Sequence, residues 1–289
     1  MRDAPGVPPA GSVEPVGGDR SWPAPDAGWH RFWPAHFLAD TGAIAQMEVE
    51  KLRHDPLELA TRAVQPVLWL LLFGKVLAKT HAIPTGGVPY LDFLAPGILA
   101  QSALFVSIFY GIAVIWERDL GVVHKFLVSP ASRAALVSGK AISAGVRTLA
   151  MAVVVYLVSA ASGVHLRISL GSLLGVVVLL LLGSAVFATF SLIIATLVKT
   201  RERFMGIGQI LTMPLFFASN AIYPIAIMAG WLQAVAKVNP LTYQADGLRD
   251  LMLPHGHSTF GLPVDFGVLA VVLVAFVAVA ARLYPRVAI

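Results

Sequence analysis

The chain has 289 residues, of which 57% are hydrophobic and only 13% are charged, and its net charge is +5. Soluble domains carry roughly 25% charged residues, so this composition argues against a soluble enzyme, a nucleic-acid-binding domain and a disordered chain. The continuous apolar runs also argue against a transmembrane β-barrel, whose strands alternate apolar and polar residues. We therefore predict an all-α integral membrane protein.

The first segment, residues 1–34, holds seven of the 19 prolines and has no apolar run. This composition predicts a disordered cytoplasmic tail. Residues 35–58 follow, and the apolar positions between 44 and 52 fall broadly on one helical face, which predicts an interfacial amphipathic helix. The alternative is an ordinary solvated connector. The candidate residues of the interfacial helix are Lys51, Arg53, Asp55 and Pro56.

Six segments are long and apolar enough for a bilayer crossing, which takes about 20 residues, so 59–289 is predicted to be a six-span transmembrane domain. The fifth segment is 33 residues long and contains Pro214 and Pro224. We expect one span to about residue 219 and then a re-entrant segment, which must be surrounded by protein or a cavity. The segments are 59–79, 92–116, 136–160, within 168–198, within 204–236, and 265–284.

The charges near the span ends predict the orientation of the chain. Lys and Arg are concentrated on the side that holds the N-terminus. Because cytoplasmic loops carry an excess of these residues, we predict a multi-pass protein of the cell membrane with both termini cytoplasmic. Arg147 is a charge within the third span. It either belongs to a polar pathway or inter-helix brace, or extends its long side chain to the inner interface.

Sequence motifs of a catalytic or metal site are missing. The chain contains neither H-E-x-x-H nor G-x-S-x-G. Its nearest approach to a phosphate-binding P-loop is Ala134–Ala141, which lacks the first Gly and the final Ser or Thr of that motif. We therefore predict no catalytic, cofactor-binding or metal-binding residue in this chain.

Four segments, in order and at the spacing of a six-span layout, resemble parts of one family. Lys51–Gly74 resembles its entry helix and first span, and Tyr90–Gly97 resembles the start of its second span. Glu117–Pro130 resembles the cytoplasmic segment that follows, and Asn239–Leu253 resembles the helix after the re-entrant region. On these segments the chain resembles the membrane subunit of an ABC-2 type exporter, in the group of daunorubicin-resistance and nodulation-factor export permeases.

The resemblance implies a permease that pairs with a second copy of itself or a homologous permease. It also implies two copies of a separate ABC ATPase, which would bind the ATP and Mg. The implied substrate is an amphiphilic drug-like molecule or a lipid, and the alternative is a lipid-linked glycan or polysaccharide. The alternative classes of protein are a proton-coupled transporter and a non-transporting membrane scaffold.

The resemblance assigns ATPase coupling to the charged segment that follows the second span. Gly121 permits a turn there, and Ser129-Pro130 can end one helix and start another. Charge placement alone leaves a simple positive-inside anchor equally open. Val122 and His124 depart from the family pattern, which often has Thr and an acid at these positions. The candidate coupling residues are Glu117, Arg118, Asp119, Gly121, Lys125, Ser129, Pro130 and Arg133.

Two further groups of residues are candidates for the transport route. Aromatic side chains offer an amphiphile a broad contact surface, although each one singly also suits helix packing. On the outer side, Asn239-Pro240 predicts a helix start, and Asp246 and Arg249 share one helical face. These residues brace an outer gate, or the charged pair is a surface ion pair worth under about 1 kcal/mol. The pathway candidates are Phe105, Phe109, Tyr110, Phe216, Phe217 and Asn220.

Overall fold

The computed structural model describes residues 56–80, 83–109, 112, 115–116, 133–198 and 200–283, with 56, 58, 59 and 133–143 described as backbone only. Within these ranges the regular elements are helices and there is no strand, so the all-α prediction is confirmed. A π-helical turn, Trp69–Gly74, joins α1 to α2, and a 3-10 turn covers Ile225–Ile227. The α-helices are α1 Pro56–Leu68, α2 Lys75–Thr80, α3 Tyr90–Phe109, α4 Arg133–Ala161, α5 Leu170–Leu197, α6 Arg201–Phe217, α7 Gly230–Val238, α8 Pro240–Met252 and α9 Leu262–Leu283.

Side-chain caps define where two of the helices begin. The Thr200 hydroxyl accepts a hydrogen bond from the Arg203 backbone N–H at 3.4 Å at the start of α6. The Asn239 Oδ1 accepts one from the Leu241 N–H at 3.0 Å at the start of α8. Each cap satisfies a donor that the helix itself leaves without a partner. Pro240 occupies the first turn of α8, so the predicted helix start is confirmed.

Five of the described helices are long and apolar enough to cross a bilayer, and they coincide with five of the six predicted spans. The remaining predicted span corresponds to α6, which has 17 residues and is about 26 Å long. Its first turn is charged, so its apolar part is shorter than the hydrocarbon core of about 30 Å. Six crossings and a re-entrant segment therefore stay predictions. The five helices cover Ala60–Thr80, Tyr90–Phe109, Ala144–Ala161, Leu170–Leu197 and Leu262–Leu283.

Helix α3 lies in the middle of the main core, and almost all its side chains are buried against α4, α5 and α8. Glycines allow two close approaches in this core. A Cβ atom on Gly97 would lie 2.0 Å from the carbonyl oxygen of Ala221, and one on Gly183 would lie 2.3 Å from the side chain of Gln244. These positions bring α3 against the turn after α6, and α5 against α8.

Hydroxyl groups link three helices inside the same core. The Ser184 Oγ lies 2.8 Å from the Ser107 Oγ and 3.0 Å from the Thr148 Oγ1, and the Ser191 hydroxyl donates to the Ile108 carbonyl oxygen. In a lipid environment the hydrophobic effect does not drive helices together, so hydrogen bonds and close packing take a larger share of the stabilisation.

The outer helices have the opposite character. Helices α1 and α9 expose large apolar side chains, among them Val64 at 54%, Val271 at 69% and Val274 at 70%. An apolar surface of this extent needs a partner or a lipid surrounding. Together with the buried α3, it describes a helical bundle that presents its apolar faces outward.

Candidate transport site

A buried polar cluster joins the turn after α6, α8 and the loop before α9. We call it the Asp246 cluster, and it consists of Asn220, Asp246, Arg249, Ser258 and Asp265. The Asp246 carboxylate is fully buried, and a buried anion is tolerated only when donors or cations surround it. Its donors are Asn220 Nδ2 at 2.9 Å, Arg249 Nη1 at 3.3 Å, Thr259 N at 2.6 Å, Thr259 Oγ1 at 3.1 Å and Phe260 N at 3.2 Å.

Arg249 is the cation of this cluster and is only 7% exposed. Its Nη2 donates to the Asn220 carbonyl oxygen at 2.8 Å, and its guanidinium carbon lies 3.8 Å from the centre of the Phe93 ring. Burial lowers the pKa of Arg249 to about 10, although the neighbouring Asp246 opposes this shift, so the side chain stays charged at neutral pH. The Asp246–Arg249 pair is therefore buried and not a surface ion pair. Its role in a gate stays a prediction.

Ser258 lies between two buried carboxyl groups. Its Oγ is 3.0 Å from Oδ2 of Asp246 and 2.6 Å from Oδ2 of Asp265, and it accepts a hydrogen bond from the Gly261 N–H. A hydroxyl donates only one proton, so both carboxyl contacts are hydrogen bonds only when one carboxyl carries a proton. Asp246 has five other donor contacts, whereas Oδ1 of Asp265 has no partner in the described part of the chain. Asp265 is therefore the acid of this pair that is better placed to hold a proton.

A cavity of about 170 Å³ lies between α1, α3 and α4. The Phe105 and Phe109 rings on its wall stack with their centroids 6.2 Å apart. Apolar cavities with a few polar groups are the usual form of small-molecule sites, so this arrangement suits a ligand with an apolar body and a polar group. The polar lining residues are Thr61, Arg62, Gln65, Gln101 and Ser102, and the apolar ones are Pro66, Phe105, Val106, Phe109 and Met151.

The structure separates the predicted pathway residues into two groups. Phe105 and Phe109 line the cavity together. Phe216 and Asn220 are buried elsewhere: the Phe216 ring packs edge-on against Trp69 with centroids 5.6 Å apart, and Asn220 belongs to the Asp246 cluster. The structure therefore brings Asn220 to the predicted gate residues and not to the cavity. A transport role for any of these residues stays a prediction.

The remaining candidates are exposed, terminal or outside the described residues. Phe217 is 43% exposed. Arg133 begins α4 and Pro56 begins α1, so the last residues of the predicted interfacial segment belong to the first spanning helix. The tail 1–34 lies outside the described residues, and so do the following candidates: Lys51, Arg53, Asp55, Tyr110, Glu117, Arg118, Asp119, Gly121, Lys125, Ser129 and Pro130.

Sequence reasoning missed most of the polar residues that the structure places in these two sites, among them Gln101, Asp265 and Ser258. Gln101 interrupts an otherwise apolar, charge-free stretch, which is a signal that the sequence does contain. Asp265 stands at the edge of the last span and reads as its polar boundary, although it is fully buried. Ser258 lies in a short polar loop, and nothing in the sequence distinguishes it from its neighbours there.

Comparison with known proteins identifies the family. Residues 40–253 match the ABC-2 type transporter family, which is nearly three quarters of the 289 residues. The chain belongs to this family. The matched region of the ABC-2 permease includes the cavity and all of α8, whereas α9 follows it.

Individual relatives agree with this assignment. The permease is 30% identical to the protein named transport permease ycf38 of Cyanophora paradoxa over 78% of this chain and 77% of the relative. It is 29% identical to the daunorubicin resistance ABC transporter permease protein DrrB1 of Streptomyces coeruleorubidus over 81% and 80%. It is 26% identical to nodulation protein J of Rhizobium leguminosarum bv. trifolii over 73% and 79%. The resemblance found in the sequence is therefore confirmed.

Proposed function

We propose that this ABC-2 permease is the membrane subunit of an exporter that moves an amphiphilic, drug-like or lipid substrate outward. The cavity between α1, α3 and α4 carries the proposal, because it combines stacked aromatic rings with polar side chains within the bundle. The relative named for daunorubicin resistance supports a drug-like substrate.

Energy for export comes from a partner in this proposal. Two copies of a separate ATPase bind ATP and Mg, and two permease subunits form the membrane part. Family membership supports this arrangement, as does the lack of a P-loop motif in the sequence. The segment from Glu117 to Arg133 transmits closure of the ATPase dimer to α3 and α4, the helices that flank it and also line the cavity.

The proposal includes an orientation in the cell membrane with both termini cytoplasmic. An even number of crossings requires α6 to cross the membrane as well, as the fifth of six spans in chain order. The charged first turn of α6, which includes Arg201 and Arg203, then lies on the cytoplasmic side, where Lys and Arg are enriched. The turn after α6 completes this crossing inside protein, because Asn220 and Ala221 are buried and irregular backbone at this depth needs such surroundings.

Charge reversal in the coupling segment tests the proposal. The permease should co-purify with a neighbouring ATPase subunit, and Arg118→Asp with Asp119→Arg should abolish ATP-dependent transport in reconstituted vesicles. The matched control is Glu202→Arg with Arg203→Glu, an adjacent and exposed pair of opposite charges outside the coupling segment, which should retain transport. Transport by the isolated permease without any ATPase would contradict the proposal.

A proton-coupled transporter is the second candidate, and the observation that favours it is the buried Asp265, which shares the Ser258 hydroxyl with Asp246. Transport that continues after ATP depletion and stops when an uncoupler collapses the proton gradient would support this class. Transport should then also depend on Asp265. The ATP-driven proposal predicts the reverse: sensitivity to ATP depletion and little effect of Asp265→Asn.

A further inference from the structure

Helix α7, Gly230–Val238, follows the turn after α6 and is too short to cross a bilayer. Its nine residues span about 14 Å, which is less than half of the hydrocarbon core of about 30 Å. The helix nevertheless exposes large apolar side chains, among them Trp231 at 72% and Val238 at 81%. A contiguous apolar surface of this kind marks a place of interaction.

The side chains of α7 fall into three sectors around the helix axis, at about 100° per residue. One sector faces the protein, because Ala236 is buried. A second sector is exposed and apolar, and it holds Trp231, Val235 and Val238 at the i, i+4 and i+7 spacing of one helical face. The third sector lies between these two and holds the exposed Lys237. The exposed surface of α7 therefore has an apolar part and a charged part side by side.

Hydrogen bonds place α7 at the end of the bundle where α3 begins. Tyr90 is the first residue of α3, and its hydroxyl donates to the Ile222 carbonyl oxygen at 3.2 Å, shortly before α7. Directly after α7, the Asn239 Nδ2 donates to the carbonyl oxygens of Leu215 and Ala218, at 2.6 Å and 3.1 Å, where α6 ends. Because a spanning helix begins near the boundary of the hydrocarbon core, these contacts put α7 close to that boundary.

The sectors of α7 match the layers of a lipid interface. Trp side chains are enriched at the level of the headgroups, and an interfacial helix buries its apolar face while its basic residues reach anionic groups. Lys237 stands beside the apolar sector, where it can make such a contact. A second copy of the chain matches less well, because a specific interface buries at least about 1,000 Å² and this sector offers only three large side chains.

We propose that α7 lies in the plane of the phospholipid headgroup region, with Trp231, Val235 and Val238 toward the acyl chains and Lys237 toward the phosphate groups. The helix then acts as an anchor that holds the chain between α6 and α8, and with it the turn that carries Asn220, at a fixed depth. In the proposed orientation this is the outer leaflet. The choice of leaflet rests on the proposed function, whereas the contact with lipid does not.

Spin labels can test the depth of α7, because the chain has no cysteine and single cysteines can be introduced without background. Val235→Cys and Val238→Cys are labelled in the full chain in phospholipid nanodiscs. Collisions of each label with oxygen, which partitions into lipid, are compared with collisions with a water-soluble nickel chelate. Both labels should show an oxygen-to-nickel collision ratio several-fold higher than a label at Lys237→Cys.

Two further positions calibrate the ratio. Val271→Cys, on the exposed apolar face of α9, gives the value for lipid, and His255→Cys, in the exposed loop before α9, gives the value for water. The labels at Val235 and Val238 should lie near the lipid value. Each variant should unfold at the wild-type temperature, because the replaced side chains are exposed, and this measurement excludes a distorted fold as the cause of a changed ratio.

Two results would overturn the inference. Ratios near the water value at both Val235 and Val238 would show that α7 faces water. Few collisions with either reagent, together with magnetic coupling between labels on two copies, would show that a second copy covers the helix. These measurements need neither an ATPase nor transport. Labelling of Lys237→Cys in intact cells by an impermeant maleimide tests the proposed orientation separately, and reaction from the inner side alone would contradict that orientation.

Discussion

The Asp246 cluster and the cavity both contain polar groups in an apolar bundle, but they differ in how many hydrogen-bond partners those groups have. In the cluster, one carboxylate receives six donor contacts, and its arginine partner bonds a backbone carbonyl oxygen as well. In the cavity, the Gln101 donor has no partner in the described part of the chain. A carboxylate held by this many donors favours one packing of its helices, although Asn220 Oδ1, Arg249 Nε and Asp265 Oδ1 have no partner in the described part of the chain. The cluster is held together by its own side chains, whereas the cavity leaves empty volume beside Gln101.

The largest expected effect is at the carboxylate in the centre of the Asp246 cluster. Asp246→Asn removes the anion, leaves Arg249 buried without its counter-charge, and turns an amide N–H₂ toward groups that are themselves donors. Breaking a buried ion pair from one side costs about 3–5 kcal/mol. The free energy of unfolding, measured by detergent-titrated denaturation, should fall by that amount. The control is Asp250→Asn, at a half-buried acid one turn further along α8. This change should lower the free energy of unfolding by less than about 1 kcal/mol. Equal losses would show that the cluster does not stabilise the fold.

A backbone contact beside the cluster gives the next largest effect. Gly97→Ala places a Cβ 2.0 Å from the Ala221 carbonyl oxygen, so α3 and the turn after α6 must separate. Overpacking of this kind costs about 1–3 kcal/mol, measured as a lower unfolding temperature. In Gly206→Ala the new Cβ meets nothing within 4 Å, so this change inside a helix should be neutral or stabilising by up to about 1 kcal/mol. If both variants unfold at the wild-type temperature, the close approach is not rigid.

The smallest effect should come from the second acid of the cluster. Asp265 has fewer donor contacts than Asp246 and is the better placed of the two to hold a proton. Asp265→Asn therefore places a neutral side chain there, with a donor that can reach the Ser258 oxygen. The free energy of unfolding at pH 7 should change by less than about 1 kcal/mol, in contrast to Asp246→Asn. Denaturation of the two variants side by side checks this. A loss at Asp265 as large as that at Asp246 would mean that both acids are ionised.

Much of the fold follows from the sequence, because apolar runs of sufficient length leave a helix few alternatives in a membrane. The Asn239-Pro240 helix start is also a local property and was predictable. The end of α6 was not predictable, because no charged residue in 204–236 marks the position at which the structure ends the helix, Phe217. The meeting of Asn220 with Asp246 was not predictable either. These residues are 26 positions apart, and their contact depends on the packing of α8 against the turn after α6. Gln101 stands out in the sequence, but its position on the cavity wall is known only from the structure.

The buried position of α3 has a consequence for biosynthesis. This helix carries buried polar side chains, Asp92 and Ser107 among them, and it packs mainly against α4, α5 and α8, which are synthesised after it. A newly inserted α3 therefore exposes polar groups to lipid until these helices join the bundle, and the cost of that exposure favours late, cooperative assembly. A chain that stops before α8 would hold α3 without its partners, which makes it a natural substrate for membrane quality control.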